Sequence, residues 1–208
     1  MMAIAQPERE HDTKSRILDA AAHLFVDSGY ESTTMKLIAK RVGITPGALY
    51  WHFPSKEAIL FEFLEWWVAE IREFVEVAIG NGSSPLNRVR AFARAQVVAQ
   101  LRVRSDQHGI AMYGVMHLAD VLPEEQKQII VEAQRRHVWL LREIITEGVA
   151  DGTFRSSLDP TPTAFAILTM CDFVTVWYRL GGRLSVEDIG DVYSDLAAAM
   201  VSALPLRP

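Results

Sequence analysis

Thr33-Thr34-Met35-Lys36-Leu37-Ile38-Ala39-Lys40-Arg41-Val42-Gly43-Ile44-Thr45-Pro46-Gly47-Ala48-Leu49-Tyr50-Trp51-His52-Phe53 reads as helix, glycine turn, helix. Thr33 or Thr34 can cap the first helix, whose apolar face includes Leu37, Ile38 and Val42. Gly43 stops it, and Thr45-Pro46 opens the second with a hydroxyl cap and a proline at the first helical position. Ala39 is small where two helices would cross, and Ile44 plugs the space beneath the turn. This is the pattern of a helix-turn-helix.

Charge points the same way. The chain carries 21 Lys/Arg against 26 Asp/Glu, a net charge of −5, which argues against a generic polyanion binder. Yet Ser32 to Lys56 holds Lys36, Lys40, Arg41 and Lys56 and no acid. An acid-free basic stretch in an acidic protein is where a phosphate partner is expected. In such a motif the second helix enters the major groove by its N-terminal end. Thr45, Pro46, Gly47 and Ala48 are small enough to let the backbone approach DNA. Tyr50 and His52 offer hydrogen bonds to phosphate, Thr34 a hydroxyl at a helix N-terminus, and Lys56 a further cation.

Outward from this unit nearly every segment reads as helix, nine in all. The first runs from about Thr13 to Ser28, with Ile17, Leu18, Ala21, Leu24 and Phe25 on one face, after a flexible arm over residues 1–11. A long fourth helix is expected from Lys56 to about Ile79, and a fifth from about Leu86 to Arg104. A short sixth follows over about Ile110 to Ala119, then a seventh from Pro123 to near Gly148. The last two span about Thr163 to Leu180, and Ser185 to about Leu204. The fold class is all-α. Its domains are the arm, a DNA-binding head over 12–56, and a helical remainder over 57–208.

The 208 residues are half hydrophobic and 23% charged, which suits globular domains. The longest uncharged run, Val42 to Ser55, contains Pro and Gly and is too short to span a bilayer. The N-terminus has no apolar signal region, so no membrane partner is expected and the cytoplasm is the expected location. One cysteine, Cys171, excludes a disulfide framework and a Cys-based zinc site.

Six histidines, His11, His23, His52, His108, His117 and His137, form no His-Glu-x-x-His pair. His108 and His117 with Asp106 have no diagnostic metal spacing. No nucleophile elbow or phosphate-cradling glycine loop appears. Enzyme activity, a catalytic residue, a metal and a cofactor are therefore not expected. A helical ligand-binding protein that ignores DNA is the remaining alternative, and it has no need of an acid-free head.

The residues Thr33-Thr34, Ile38-Ala39, Val42-Gly43-Ile44-Thr45 and Leu49-Tyr50-Trp51-His52-Phe53 with Lys56-Glu57 resemble the TetR/AcrR family of transcriptional regulators. Arg16-Ile17-Leu18-Asp19-Ala20-Ala21, Leu24-Phe25 and Gly29-Tyr30 fit it as well. The resemblance implies an all-α homodimer with an N-terminal DNA-binding domain and a C-terminal ligand-binding and dimerisation domain. It places DNA contacts at Thr34, Lys36, Thr45, Pro46, Gly47, Ala48, Tyr50, His52 and Lys56. Pro46 and Gly47 carry no side chain for bidentate base reading, so base readout is expected from Lys36, Thr45, Ala48, Tyr50 and DNA shape.

The same resemblance implies a repressor released from a double-stranded operator by a small effector. A lipophilic effector would draw its pocket from Phe63, Trp66, Phe92, Met112, Met116, Trp139, Phe173 and Trp177. The stretch Val176 to Ser185 with Asp188-Ile189 resembles the regulators of fatty-acid and steroid catabolism, several of which respond to acyl-CoA thioesters. Arg90, Arg94, Arg102, Arg104, Arg135, Arg136 and Arg142 would be the phosphate partners. A regulator of efflux answering lipophilic drugs is the alternative. The implied dimer seam is Ala164, Ile167, Leu168, Cys171 and Thr175 with Leu196, Ala197, Met200 and Val201, and an intramolecular core is the competing reading.

Overall fold

The computed structural model describes residues 6–80, 83–105, 117–179 and 181–202; residues 6–12, 26, 102–105 and 117 are described by backbone alone. Among these residues it is all helical: α1 (Gln6–Asp27), α2 (Met35–Val42), α3 (Pro46–His52), α4 (Lys56–Ile79), α5 (Pro85–Ser105), a 3₁₀ turn (His117–Val121), α6 (Glu124–Ala150), α7 (Pro160–Trp177) and α8 (Val186–Val201). Two compact units result, one of residues 1–67 with 110–130, the other of 68–109 with 131–208.

The first unit contains the helix-turn-helix. Ile17, Ala21, Leu24 and Phe25 bury the inner face of α1, and Ile38, Ala39, Val42, Leu49 and Phe53 that of α2 and α3. Thr34, not Thr33, caps α2, its hydroxyl accepting from the Leu37 N–H at 3.2 Å. Thr33 is instead buried, its hydroxyl donating towards the carbonyls of Leu24 (3.1 Å) and Gly29 (2.9 Å). Gly43 takes φ +80°, the left-handed conformation that ends a helix and that an L side chain resists. Its N–H and that of Ile44 both bond the Ala39 carbonyl at 3.0 Å. Arg16 reaches across from α1 to the Val42 carbonyl at 2.8 Å, closing the free end of α2.

Two boundaries correct the sequence reading. Residues 6–11, expected to be a flexible arm, belong to α1. Pro7 falls in its first turn, where a missing N–H costs nothing. The first compact unit also continues past Lys56. Ile59, Leu60, Phe63, Leu64 and Trp67 of α4 are buried, so the first unit ends at Trp67. Most of the expected sixth helix lies outside the described residues, and its described end is the 3₁₀ turn.

In the second unit α5 is the central helix, packed by α7 and α8. Val89, Phe92, Ala93, Val97 and Leu101 are fully buried. Gly190 lets α8 close on α5: a Cβ there would lie 2.9 Å from Val98 Cγ2 and 3.2 Å from Arg94 Cγ. Ion pairs flank that contact, Arg94 to Asp191 at 2.6 Å and Arg90 to Asp195. Helix α7 starts three residues before expectation because Asp159 caps it and both prolines fit its first turn. It ends at Trp177, where Tyr178 turns extended and donates its hydroxyl to the Leu184 carbonyl at 2.9 Å. Ser185 and Asp188 then form a capping box on α8.

Candidate nucleic-acid interface

Helix α3 presents a reading face. Thr45 caps it, its hydroxyl oxygen accepting from the Ala48 N–H at 3.2 Å, and Pro46 follows at the first helical position. Leu49 is buried beneath, while Thr45, Pro46, Gly47, Ala48 and Tyr50 are exposed and His52 is half-buried. A hydroxyl that caps by accepting keeps its hydrogen to donate outward, so Thr34 and Thr45 can each still bind a phosphate oxygen. A Cβ at Gly47 would meet nothing within 4 Å, so the open surface there is available to a partner backbone. Lys36, Lys40 and Arg41 on α2 are also exposed.

Trp51 was missed by the sequence reading. It is the most exposed aromatic on α3, at 69%, with its ring edge-on to His52 at 4.9 Å. A large apolar ring left in water on a reading helix is the signal that would have found it.

Lys56, expected as a phosphate contact, also makes contacts within the chain. Its ammonium donates to the Tyr30 carbonyl at 2.7 Å and lies 3.9 Å from the Tyr30 ring centroid. The Tyr30 hydroxyl donates to Glu57 Oε1 at 3.1 Å. Burial, then the Glu57 charge, push the Tyr30 hydroxyl up. Hydrogen bonds from its own backbone N–H and from Ser55 pull the Glu57 carboxyl down. Lys56 thus ties the start of α4 to the turn after α1.

The expected pocket residues are divided between the two units. Phe63 and Trp66 line a groove of about 310 Å³ on the first unit, with Lys14, Ser15, Leu18, Asp19 and Glu62. Phe92 is core in the second unit. Trp139, Phe173 and Trp177 are 47–48% exposed, and Trp177 donates its indole N–H to the Tyr193 hydroxyl at 3.2 Å. Met112 and Met116 lie outside the described residues, as does His108. Of the arginines, Arg90 and Arg94 are engaged by α8, Arg135 and Arg136 pair with Glu132, and Arg142 is exposed. Arg102 and Arg104 lie outside the described side chains. Among the described residues no three His, Cys, Asp or Glu side chains gather for a metal.

The seam reading also needs correction. Ala164, Ile167, Leu168, Cys171, Thr175, Ala197 and Val201 are at most 6% exposed within the single chain. They face the chain's own core, and burial pushes the Cys171 thiol up. Small residues on α7 and α8 serve close packing on α5 instead. Only Leu196, at 46%, is exposed, with Met200 half-buried.

A second feature of this unit escaped the sequence reading. Gln96 and Gln100, one turn apart on α5, both donate to Asp172 Oδ1 of α7, at 2.7 and 2.9 Å. The Gln96 carbonyl oxygen lies 2.9 Å from His137 Nε2 of α6. Burial pushes the Asp172 carboxyl up, against the pull of its two amide donors. Burial, aided by the Arg72 charge, lowers His137 to about 4. A glutamine pair at i, i+4 and an aspartate inside the apolar run of α7 were the available signals.

An all-helical chain with a capped, acid-free reading helix defines a helix-turn-helix regulator. Residues 17–63 match the model of bacterial regulatory proteins of the tetR family, and residues 82–201 match that of the tetracyclin repressor-like C-terminal domain. The chain belongs to the tetR family of bacterial transcriptional regulators. It is 32% identical over 197 residues to the HTH-type transcriptional repressor KstR2 of Mycolicibacterium smegmatis, covering 92% of each chain. AibR, solved in complex with isovaleryl coenzyme A and operator DNA, is 27% identical with a TM-score of 0.77, over 91% of this chain and 98% of that one. PfmR of Thermus thermophilus, a TetR family transcriptional regulator, is 29% identical with a TM-score of 0.76, over 88% and 97%. No described helix is long and apolar enough to cross a membrane.

Proposed function

We propose that this chain is a repressor that holds operator DNA as a homodimer and releases it when a small lipophilic effector, an acyl-CoA thioester, binds its C-terminal helices. The observation that carries the reading is the α3 face: exposed Thr45, Pro46, Gly47, Ala48 and Tyr50 on a capped helix, beside Lys36 and with no acid between Ser32 and Lys56. In this reading Thr34, Lys36, Tyr50 and His52 hold phosphates, and Lys36, Thr45, Ala48 and Tyr50 meet base edges. Lys56 acts by fixing the start of α4. Residues 12–56 read DNA, and 57–208 take effector and partner. The place of work is the cytoplasm.

Two reading heads must be held at the spacing of the DNA repeat, which calls for a second copy. Phe165, Phe173, Val176 and Trp177 of α7 and Val192 and Leu196 of α8 are 42–54% exposed and supply the apolar face for it. Similarity to AibR, solved with isovaleryl coenzyme A and operator DNA, and to the repressor KstR2 supports the effector class and the sign of regulation. An effector that prefers a different head spacing weakens DNA binding by linkage.

Gel-shift binding to DNA from beside the protein's own gene, repeated with a panel of acyl-CoA thioesters, tests this. Sequence-specific binding released by one thioester is expected. Binding that ignores every thioester would remove that effector class and point to drugs or other lipophilic molecules.

A further inference from the structure

The groove of about 310 Å³ on the first unit is lined by α1 and α4 alone. Leu18 of α1 with Phe63 and Trp66 of α4 gives it an apolar, mostly aromatic wall. Phe63 is buried, Trp66 is 46% exposed, and their ring centroids lie 6.1 Å apart. Its charged lining is two carboxylates, Asp19 and Glu62, against one ammonium, Lys14. Lys14 Nζ lies 2.5 Å from Glu62 Oε1 and 5.5 Å from the Phe53 ring centroid, so that pair is internally matched. Asp19 has no lysine or arginine in ion-pair reach among the described residues; the His23 ring stands 3.7 Å from it. The groove thus sets an uncompensated carboxylate beside exposed aromatic surface.

We propose that this groove binds an organic monocation, an aromatic ammonium, at a site separate from that of the acyl-CoA effector. Its volume falls at the lower end of small-molecule sites, about 300–1,000 Å³, and suits a ligand of one ring. A cation is drawn to an indole face more strongly than to any other aromatic ring, and Trp66 supplies one in the wall. Asp19 supplies the counter-charge. A quaternary ammonium needs no hydrogen-bond partner, so a wall made mostly of carbon costs it little. An anion would meet the surplus carboxylate, and a neutral lipophile would gain the wall without Asp19. A metal ion needs more oxygen ligands than two carboxylates provide, and no three His, Cys, Asp or Glu side chains gather among the described residues.

The test is calorimetric titration of the full-length protein at pH 8, where imidazole carries little charge to compete for Asp19. Two probes of one shape are compared, benzyl(2-hydroxyethyl)dimethylammonium and its carbon isostere 3,3-dimethyl-4-phenylbutan-1-ol. They differ by one charge at one atom. The ammonium should bind about tenfold more tightly than the isostere. Asp19→Asn keeps the side-chain shape and should reduce that preference about threefold. Trp66→Leu keeps an apolar wall and should reduce it by a similar factor. Asp19 is 72% exposed, so its variant decides the matter even if Trp66→Leu fails to fold. Equal binding of the two probes, tighter binding of the isostere, or no binding of the ammonium would overturn the proposal. So would a preference unchanged in Asp19→Asn or in a folded Trp66→Leu, which would place the cation elsewhere on this acidic chain.

Discussion

The Lys56 ammonium donates to the Tyr30 carbonyl at 2.7 Å while lying 3.9 Å over the ring of the same residue. The contact joins the first residue of α4 to the turn that leads into α2. Cation–π attraction and a charge-assisted hydrogen bond together contribute on the order of 1–2 kcal/mol. Lys56→Ala should therefore lower stability by about that amount in a denaturant titration. It should weaken operator binding without changing the slope of log affinity against log salt. A slope reduced by about 1 would return Lys56 to the phosphate contacts.

Lys36 is the contrasting case. It is exposed on α2, near the reading helix. Lys36→Ala should leave stability within about 0.5 kcal/mol and reduce the salt slope by about 1. Fluorescence anisotropy at several salt concentrations checks both variants on one duplex.

Tyr50 and Trp51 are 54% and 69% exposed, so truncating either removes little packing. Tyr50→Ala and Trp51→Ala should each cost about 1–3 kcal/mol of operator affinity with a melting temperature close to that of the parent. Unchanged affinity in a folded variant would remove that side chain from the interface.

The head was legible because its signals are local. Thr34, Gly43, Thr45 and Pro46 act on neighbours within four residues, and each did what its residue type dictates. The contact of Lys56 with Tyr30 was not legible because Tyr30 lies 26 residues earlier. The seam was misread for a related reason. Ala and Cys at helical spacing suit any close helix pair, and only the packing shows that α5 is the partner of α7 and α8. The polar chain draws on three helices and is invisible to any one-helix pattern.

Gly43 has φ +80° and open space where a Cβ would stand. The cost of Gly43→Ala is therefore backbone strain alone, about 1–2 kcal/mol, in a melting experiment. Operator binding should fall with it, because the turn sets the angle between α2 and α3.

His137 titrates at about 4 in the folded chain against about 6.5 when exposed. The unfolded chain binds the proton first on acidification, so stability is full above about pH 6.5 and falls as pH drops towards 4. The loss is of order 3 kcal/mol. Asp172, pushed up by burial, acts in the opposite sense. Comparison with His137→Phe isolates the histidine: the variant should lose less stability between pH 6.5 and 4. Parallel curves would contradict a buried neutral His137.

The most direct test of the central claim is selection of binding sites by the purified full-length protein from random duplex DNA. The account predicts recovery of one sequence with two inverted half-sites, bound through α3 and lost with Tyr50→Ala. Recovery of no sequence above the random background would contradict it.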